Sequence, residues 1–298
     1  MRVSEIVGMG NFAKLVELFP PGLPAPESMR ISQKFDLSVR FERLVQSITE
    51  LEAQADAFSL PELRDAERIH FNSISVASEL KKRTNNDVIP TITLRDSNRQ
   101  SILGSISYAI FAGLENLQIV RGDPYDPKSR SEPRNVYDIP KISSLVSLVR
   151  KLESHLLNSE KICILAPINL TRLGDREYMT TAIERESSGI DIFVTESLFE
   201  QTEKYLERVR KVRELGIRSP IIHNIFPFRN YDDAVACVQK FGWNVSDEEL
   251  RRLKTEGSKF GIDMARERYY SLLDQREIVQ GVCISTRGNS EMVRLITG

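Results

Sequence analysis

The chain has 298 residues, 41% of them hydrophobic and 28% charged, with a formal net charge of -1. That balance excludes intrinsic disorder, and Lys and Arg dispersed among Asp and Glu exclude the basic footprint of a nucleic-acid binder. No apolar run is long enough to span a bilayer and the first residues carry no apolar leader core, so a cytoplasmic protein is expected.

Taken in chain order, short Val- and Ile-rich runs alternate with stretches of helical periodicity. The first run, 14–19, contains Glu17 and stops at Pro20 and Pro21. A helical stripe follows at Phe41, Leu44, Val45, Ile48 and Leu51, then runs at 55–60 and 88–94. A second stripe, Ile102, Leu103, Ile106 and Ile110, leads to the run 115–121. A third, Ile142, Leu145, Val146, Val149 and Leu152, leads to 161–168 and 191–197. Leu206, Val209, Val212 and Leu215 precede the run 220–226. An additional helix over 247–255 and a main one near 262–273, with Gly257 and Gly261 at their junction, come before the last run, 278–285.

Eight strands alternating with helices imply parallel pairing through crossovers, and at this length the units close into a single (β/α)8 TIM barrel, an α/β domain over 1–298. A doubly wound sheet is the structural alternative, but no GxGxxG follows the first strand. Gly113, Gly189, Gly216 and Gly242 sit just past helical runs, where left-handed residues stop helices. Residues 122–140, with Pro124, Pro127, Pro133 and Pro140, form a long loop after strand four, either a lid on the active face or a solvated connection.

Cys163, Cys237 and Cys283 lie far apart, and His70, His155 and His223 show no ligand spacing. Buried thiols are expected, and neither a disulfide framework nor a metal.

In a barrel of this class the strand C-termini and the loops after them build the active face. Glu17 lies inside an apolar run, where a carboxylate is costly unless used or paired; an outward-facing, Arg-capped carboxylate is the bland alternative. Thr93, Arg95 and Asp96 follow strand three, and Arg121, Gly122 and Asp123 follow strand four. Gly122 lets backbone approach a ligand closely between two opposite charges. Asn169 follows strand five and Glu196 ends strand six, where it either contacts a ligand or caps the next helix. Phe226 after strand seven is placed to wall a planar ligand or to pack the barrel. Arg287, Gly288, Asn289 and Ser290 follow strand eight as a ligand contact or as the cap of a last helix.

Three blocks carry a resemblance. The segment Val16-Glu17-Leu18-Phe19-Pro20-Pro21 is similar to the first-strand motif of the methylenetetrahydrofolate reductase family. Ile89 to Arg99 resembles that family's T-C-R-D-x-N block, and Gly113 to Pro124 its G-I-x-N-x-L-A-L-R-G-D-P block. The similarity continues through Phe193-Val194-Thr195-Glu196 and the 246–266 region.

The resemblance implies a flavin-binding barrel that reduces a methylene-tetrahydropterin to its methyl form. In it Glu17 is the general acid, with a pKa raised by its apolar neighbours, and Asp123 stabilises the iminium beside the flavin. It also implies Ser59, Thr91, Thr93, Arg95, Asp96, Arg121, Gly122, Asp123 and Asn169 on the cofactor side. Glu17, Asp123, Glu196, Phe226 and Arg287 fall on the substrate side. FAD is the cofactor implied, with NAD(P)H or another electron donor.

Departures from the family pattern are Glu196 for Gln, Leu94 for Cys, Pro61 for Thr, Thr91 for His, and no Lys near Ile183. They argue against FAD specifically and fit FMN, a weakly held flavin or no flavin. A flavin-independent reductase, and a non-catalytic pterin-binding subunit of a larger complex whose partner supplies electrons, are the alternative readings; a homo-oligomer or an electron-donating partner subunit is the expected association.

Overall fold

Alternation of strand and helix decides the architecture. The computed structural model describes residues 1–24, 36–62, 68–122, 139–156, 161–197, 199–286 and 288–298. Its elements begin with α1 (Val3–Gly8), β1 (Ala13–Glu17), β2 (Gly22–Pro24), α2 (Leu37–Leu51), β3 (Ala57–Leu60) and β4 (Arg68–His70). Next come α3 (Ser73–Thr84), β5 (Val88–Thr93), α4 (Arg99–Phe111), β6 (Asn116–Val120), α5 (Ile142–Leu156) and β7 (Cys163–Ile168). The chain continues through α6 (Arg176–Ser187), β8 (Ile192–Thr195), α7 (Thr202–Glu214), β9 (Ile221–Ile225) and α8 (Tyr231–Phe241). It ends with α9 (Asp247–Glu256), α10 (Ser258–Leu273), β10 (Gly281–Ser285) and α11 (Ser290–Thr297).

The eight expected strands close in the order β1-β10-β9-β8-β7-β6-β5-β3, every pair parallel. The register from Leu15↔Ala57 to Glu17↔Ser59 on one side, and Glu17↔Ser285 on the other, completes the ring. This is a (β/α)8 barrel, and the doubly wound alternative is overturned by its closure. The loops after β1 and β3 add a small antiparallel pair, β2 with β4, on the C-terminal side.

Strand side chains alternate, so each strand feeds two separate cores. Inside the barrel Ala13, Leu15, Ala57, Ile89, Cys163, Leu165, Ile192, Val194, Ile222 and Cys283 form one cluster. Outside it Val16, Phe58, Ile92, Ile119, Ile164, Phe193, Ile225 and Ile284 pack under the helices. Burial of apolar surface at ~25 cal/mol per Å² favours both sets. All three cysteines are buried thiols outside any disulfide, as expected.

The N-terminal end is closed by α1, which periodicity did not reveal. Val3, Ile6 and Val7 complete the interior cluster from below, and the Val3 N–H donates to Asn116 Oδ1 at 2.9 Å. Six residues are too few to form a helix alone, so this one exists only on the barrel floor.

Past β9, α8 stops at Gly242, whose φ of 68° is left-handed. Ser246 and Glu249 then form a reciprocal capping box that starts α9. Phe228, Ala234, Cys237, Val245, Leu253 and Phe260 make a satellite core beneath this decoration. It belongs to the barrel and adds no second sheet among the described residues.

His223, on the outer side of β9, is buried against Tyr205 at 4.4 Å between ring centroids, with its Nδ1 3.0 Å from Thr195 Oγ1. Burial, and secondarily the charge of Arg268, push its pKa well below the usual value. The folded state therefore refuses a proton that the unfolded chain accepts, so stability present above about pH 6.5 is lost as pH falls through that unfolded value. Urea titrations should show wild type weakening from pH 7 towards about pH 5, with a shallower decline in His223→Gln. Parallel declines would contradict the assignment.

Candidate functional site

The same alternation that puts Leu15 and Cys283 in the interior puts a polar layer above them at the C-terminal mouth. Glu17 on β1 and Ser285 on β10 are register partners, and the Ser285 hydroxyl donates to Glu17 Oε1 at 2.9 Å. Ser285 is fully buried and Glu17 half-buried. The carboxylate belongs to the inward set and accepts from a serine, so the outward-facing alternative is overturned. On the other side of Glu17, buried Ser59 donates to Gln118 Oε1 at 3.3 Å. Two residues of this layer, Gln118 and Asn224, were missed from the sequence. Alternation from Leu117 and Ile119, and from Ile222, would have found both.

The β5 end is polar and held in part by its own neighbours. Thr93 gives both its N–H, at 2.7 Å, and its hydroxyl, at 3.1 Å, to Glu62 Oε2, another residue the motifs did not signal. Buried Thr91 accepts from the Ser73 hydroxyl through its carbonyl, at 2.6 Å. Arg95 is only 6% exposed, and its Nε lies 3.0 Å from Asp96 Oδ2. Asp96 adopts a left-handed φ of 56°. A Cβ on Gly122 (φ 92°) would meet Arg95 Cβ at 3.1 Å and Thr93 Cβ at 3.5 Å. Gly122 therefore also packs closely against these two side chains. Arg121 next to it is exposed.

The β7 and β8 ends meet through a carboxylate. Asn169 Oδ1 accepts from Thr171 Oγ1 at 2.6 Å and from the Arg172 N–H at 3.1 Å, capping a short 3-10 turn, Leu170–Arg172. Glu196 reaches across from β8 and takes the N–H groups of Leu170 and Thr171 on its two oxygens, at 3.0 and 3.1 Å. It thus caps the preceding βα loop and not the helix after it, because α7 starts only at Thr202 with Gln201 as its cap. Burial raises the Glu196 pKa although these N–H donors oppose it. A Gln at this position would offer one acceptor oxygen where the turn presents two donors.

Beside this turn Arg172 lies over the Tyr178 ring at 4.8 Å and Arg185 at 5.9 Å, and Arg185 donates to the Pro167 carbonyl at 2.7 Å. The Arg185 Nε is buried with no hydrogen-bond partner among the described residues. Burial, aided by the like charges of Arg121 and Arg172, lowers its pKa. Arg172 is itself paired with Asp175, at 2.5 Å.

Phe226 is half-buried and packs on Trp243 at 5.0 Å and Phe228 at 6.0 Å. Asn289 caps α11 by accepting the Glu291 N–H at 3.0 Å, as one reading of that turn expected. Asp123 and Arg287 lie outside the described residues, as does the 122–140 loop except for its ends. Among the described residues no group of three or more His, Cys, Asp or Glu side chains is arranged to hold a metal, and no helix is long and apolar enough to cross a membrane.

Solved structures with this fold include a 2,3-dimethylmalate lyase of the PEP mutase/isocitrate lyase superfamily, at TM-score 0.50 and 8% identity, covering 96% of this chain and 77% of that one. A phosphoenolpyruvate phosphomutase from Streptomyces platensis subsp. rosaceus aligns at TM-score 0.52 and 9% identity, covering 100% and 85%. At such identities they share the barrel alone. The family model described as methylenetetrahydrofolate reductase matches residues 9–297, which spans every strand of the barrel and the whole polar mouth. The chain belongs to the methylenetetrahydrofolate reductase family.

Proposed function

We propose that this protein reduces a methylene-tetrahydropterin, methylenetetrahydrofolate or an analogue, to the methyl form, with Glu17 as the proton donor. The observation that carries the reading is the Glu17 carboxyl on the inner wall of the mouth, fixed by Ser285 above an apolar layer. A carboxyl in that setting is oriented before substrate arrives, which general acid catalysis requires. Protonation of the pterin amine opens the one-carbon ring to a reducible iminium.

Glu196 serves the pterin edge in this reading. Each carboxylate oxygen has two lone pairs, and one on each is taken by Leu170 or Thr171. The remaining pairs suit the adjacent N3–H and 2-amino donors of a pterin. Phe226 lines the ring's approach, and Asp123 and Arg287 take the iminium-side and tail-side roles that the resemblance implies.

The residues present fit the phosphate end of a flavin nucleotide, because the buried Arg185 Nε has no hydrogen-bond partner among the described residues and Arg121 adds a second positive charge beside it. Arg95, Gly122 and Ser59 border the same face. When bound, a flavin supplies the hydride, replenished by NAD(P)H or another donor, including one on a partner subunit. Thr93 and Asn169, already committed to Glu62 and to the 3-10 turn, favour a loosely held flavin, FMN as well as FAD, or direct transfer without one.

The test combines spectrum and turnover. Protein purified without additions, and after incubation with FAD or FMN, is expected to show the two visible bands of an oxidised flavin and to lose them on reduction. It is then expected to form methyl-tetrahydropterin under anaerobic conditions. Product without any visible bands would assign the flavin-free route. No product with reduced flavin, NADH or NADPH would overturn the reductase reading.

A further inference from the structure

A cavity of about 510 Å³ lies beside the barrel mouth, between the end of β9, the loop leading into α7, and α10. It contains neither Glu17 nor any of the cofactor-side residues assigned above. One part of its wall is aromatic: Phe199 stacks on Phe228 with ring centroids 4.5 Å apart, and Phe226 stands edge-on to Phe228.

The other part carries a guanidinium, Arg268 on α10. Its Nη2 donates to the Glu200 carbonyl, while Nη1 is buried with no hydrogen-bond partner among the described residues. Carboxylates on the same wall, Glu200, Glu249 and Glu267, favour its charge electrostatically, but among the described residues none pairs with the guanidinium. Glu200 is held by Arg208 at 2.7 Å and by Lys204 at 3.8 Å, and Glu249 takes both the N–H and the hydroxyl of Ser246 at 2.8 Å. Buried His223, on the same wall, is neutral and adds no charge. A cation set into a half-apolar wall, short of a donor partner, is costly until an anion completes it.

We propose that this cavity binds a small aryl carboxylate, its ring against Phe199 and Phe228 and its carboxylate on the Arg268 guanidinium. Planar carboxylate matches the guanidinium fork, and a single cation suits a monoanion better than a phosphate dianion. The aromatic walls take a ring in offset or edge geometry. Such a ligand arrives as a free metabolite or as the carboxylate-bearing aromatic tail of the substrate; the second source rests on the reductase reading, the site itself does not.

Trp243, the sole tryptophan of the chain, packs on Phe199 at 5.3 Å and on Phe226 at 5.0 Å, so its fluorescence reports occupancy without any turnover. Titration with benzoate should give a saturable change, and benzamide, which lacks the charge, should bind roughly tenfold or more weakly. Arg268→Met should bring benzoate to the benzamide level, with circular dichroism confirming the fold; if that variant does not fold, the benzoate and benzamide comparison in wild type decides. Equal midpoints for the two ligands, or no saturable signal with benzoate, would overturn the site and leave the reductase reading standing. Given binding, competition between benzoate and the pterin substrate identifies the substrate tail as the source, and its absence identifies a free aryl carboxylate.

Discussion

Glu17→Gln is expected to lower the rate of methylene-tetrahydropterin reduction by ~10²–10⁴-fold while leaving substrate affinity within a few-fold. The amide keeps the size of the side chain and an oxygen that accepts from Ser285, so the mouth stays assembled. What it removes is the transferable proton, and with it the route from the closed one-carbon ring to the iminium. Single-turnover product formation isolates this step from electron delivery, so the result holds whether hydride comes from flavin or directly from a nicotinamide. A rate within a few-fold of wild type would show that another group protonates the amine. An equal fall in affinity and rate would make Glu17 a binding residue. Glu17→Asp, which keeps the acid but shortens its reach, should recover part of the rate.

The second large effect is on stability. Gly261→Ala is expected to destabilise the fold by ~2–4 kcal/mol, because a Cβ there would stand 1.9 Å from the Phe228 carbonyl oxygen and 2.8 Å from its carbon. Those are backbone atoms and cannot rotate away, so α10 or the segment after β9 must move. Gly to Ala inside a helix otherwise gains about 1 kcal/mol from propensity, and overlap with the Phe228 backbone overwhelms that gain. Gly104→Ala on α4 is the matched control, since its Cβ would meet nothing within 4 Å. It should raise stability slightly. In thermal scans the first variant should melt roughly 5–10 °C below wild type and the second at or above it. Similar midpoints for the two would mean that α10 does not pack as closely as the structure places it.

Period-two runs joined by helical stripes were enough to find all eight strands, since a strand buried on both faces has to read as a short apolar run. The Pro20-Pro21 stop and the glycines after helices are local chemistry, legible because they act within a few residues. Glu17 stood out because a carboxylate inside such a run is costly. By contrast α1 has no periodic length to detect, and Val3, Ile6 and Val7 acquire a helix only by capping the barrel floor. The partners of Thr93 and Glu196 were equally hidden. Glu62 lies 31 residues from Thr93, and Leu170 lies 26 from Glu196, and nothing in either local segment announces the other.

By itself, then, the sequence determined the barrel, the strand ends that form its active face, and the residue with the costliest placement, all of which follow from patterns of burial along a single element. Only the tertiary structure decided which polar groups are already spent and which are left over. Glu196 has chosen the backbone of a neighbouring loop, Arg185 and Arg268 retain buried nitrogens without hydrogen-bond partners among the described residues, and a cavity opens between β9 and α10. The physical reason is that hydrogen-bond satisfaction is a property of elements brought together across long stretches of chain, whereas hydrophobic periodicity is carried by each element alone.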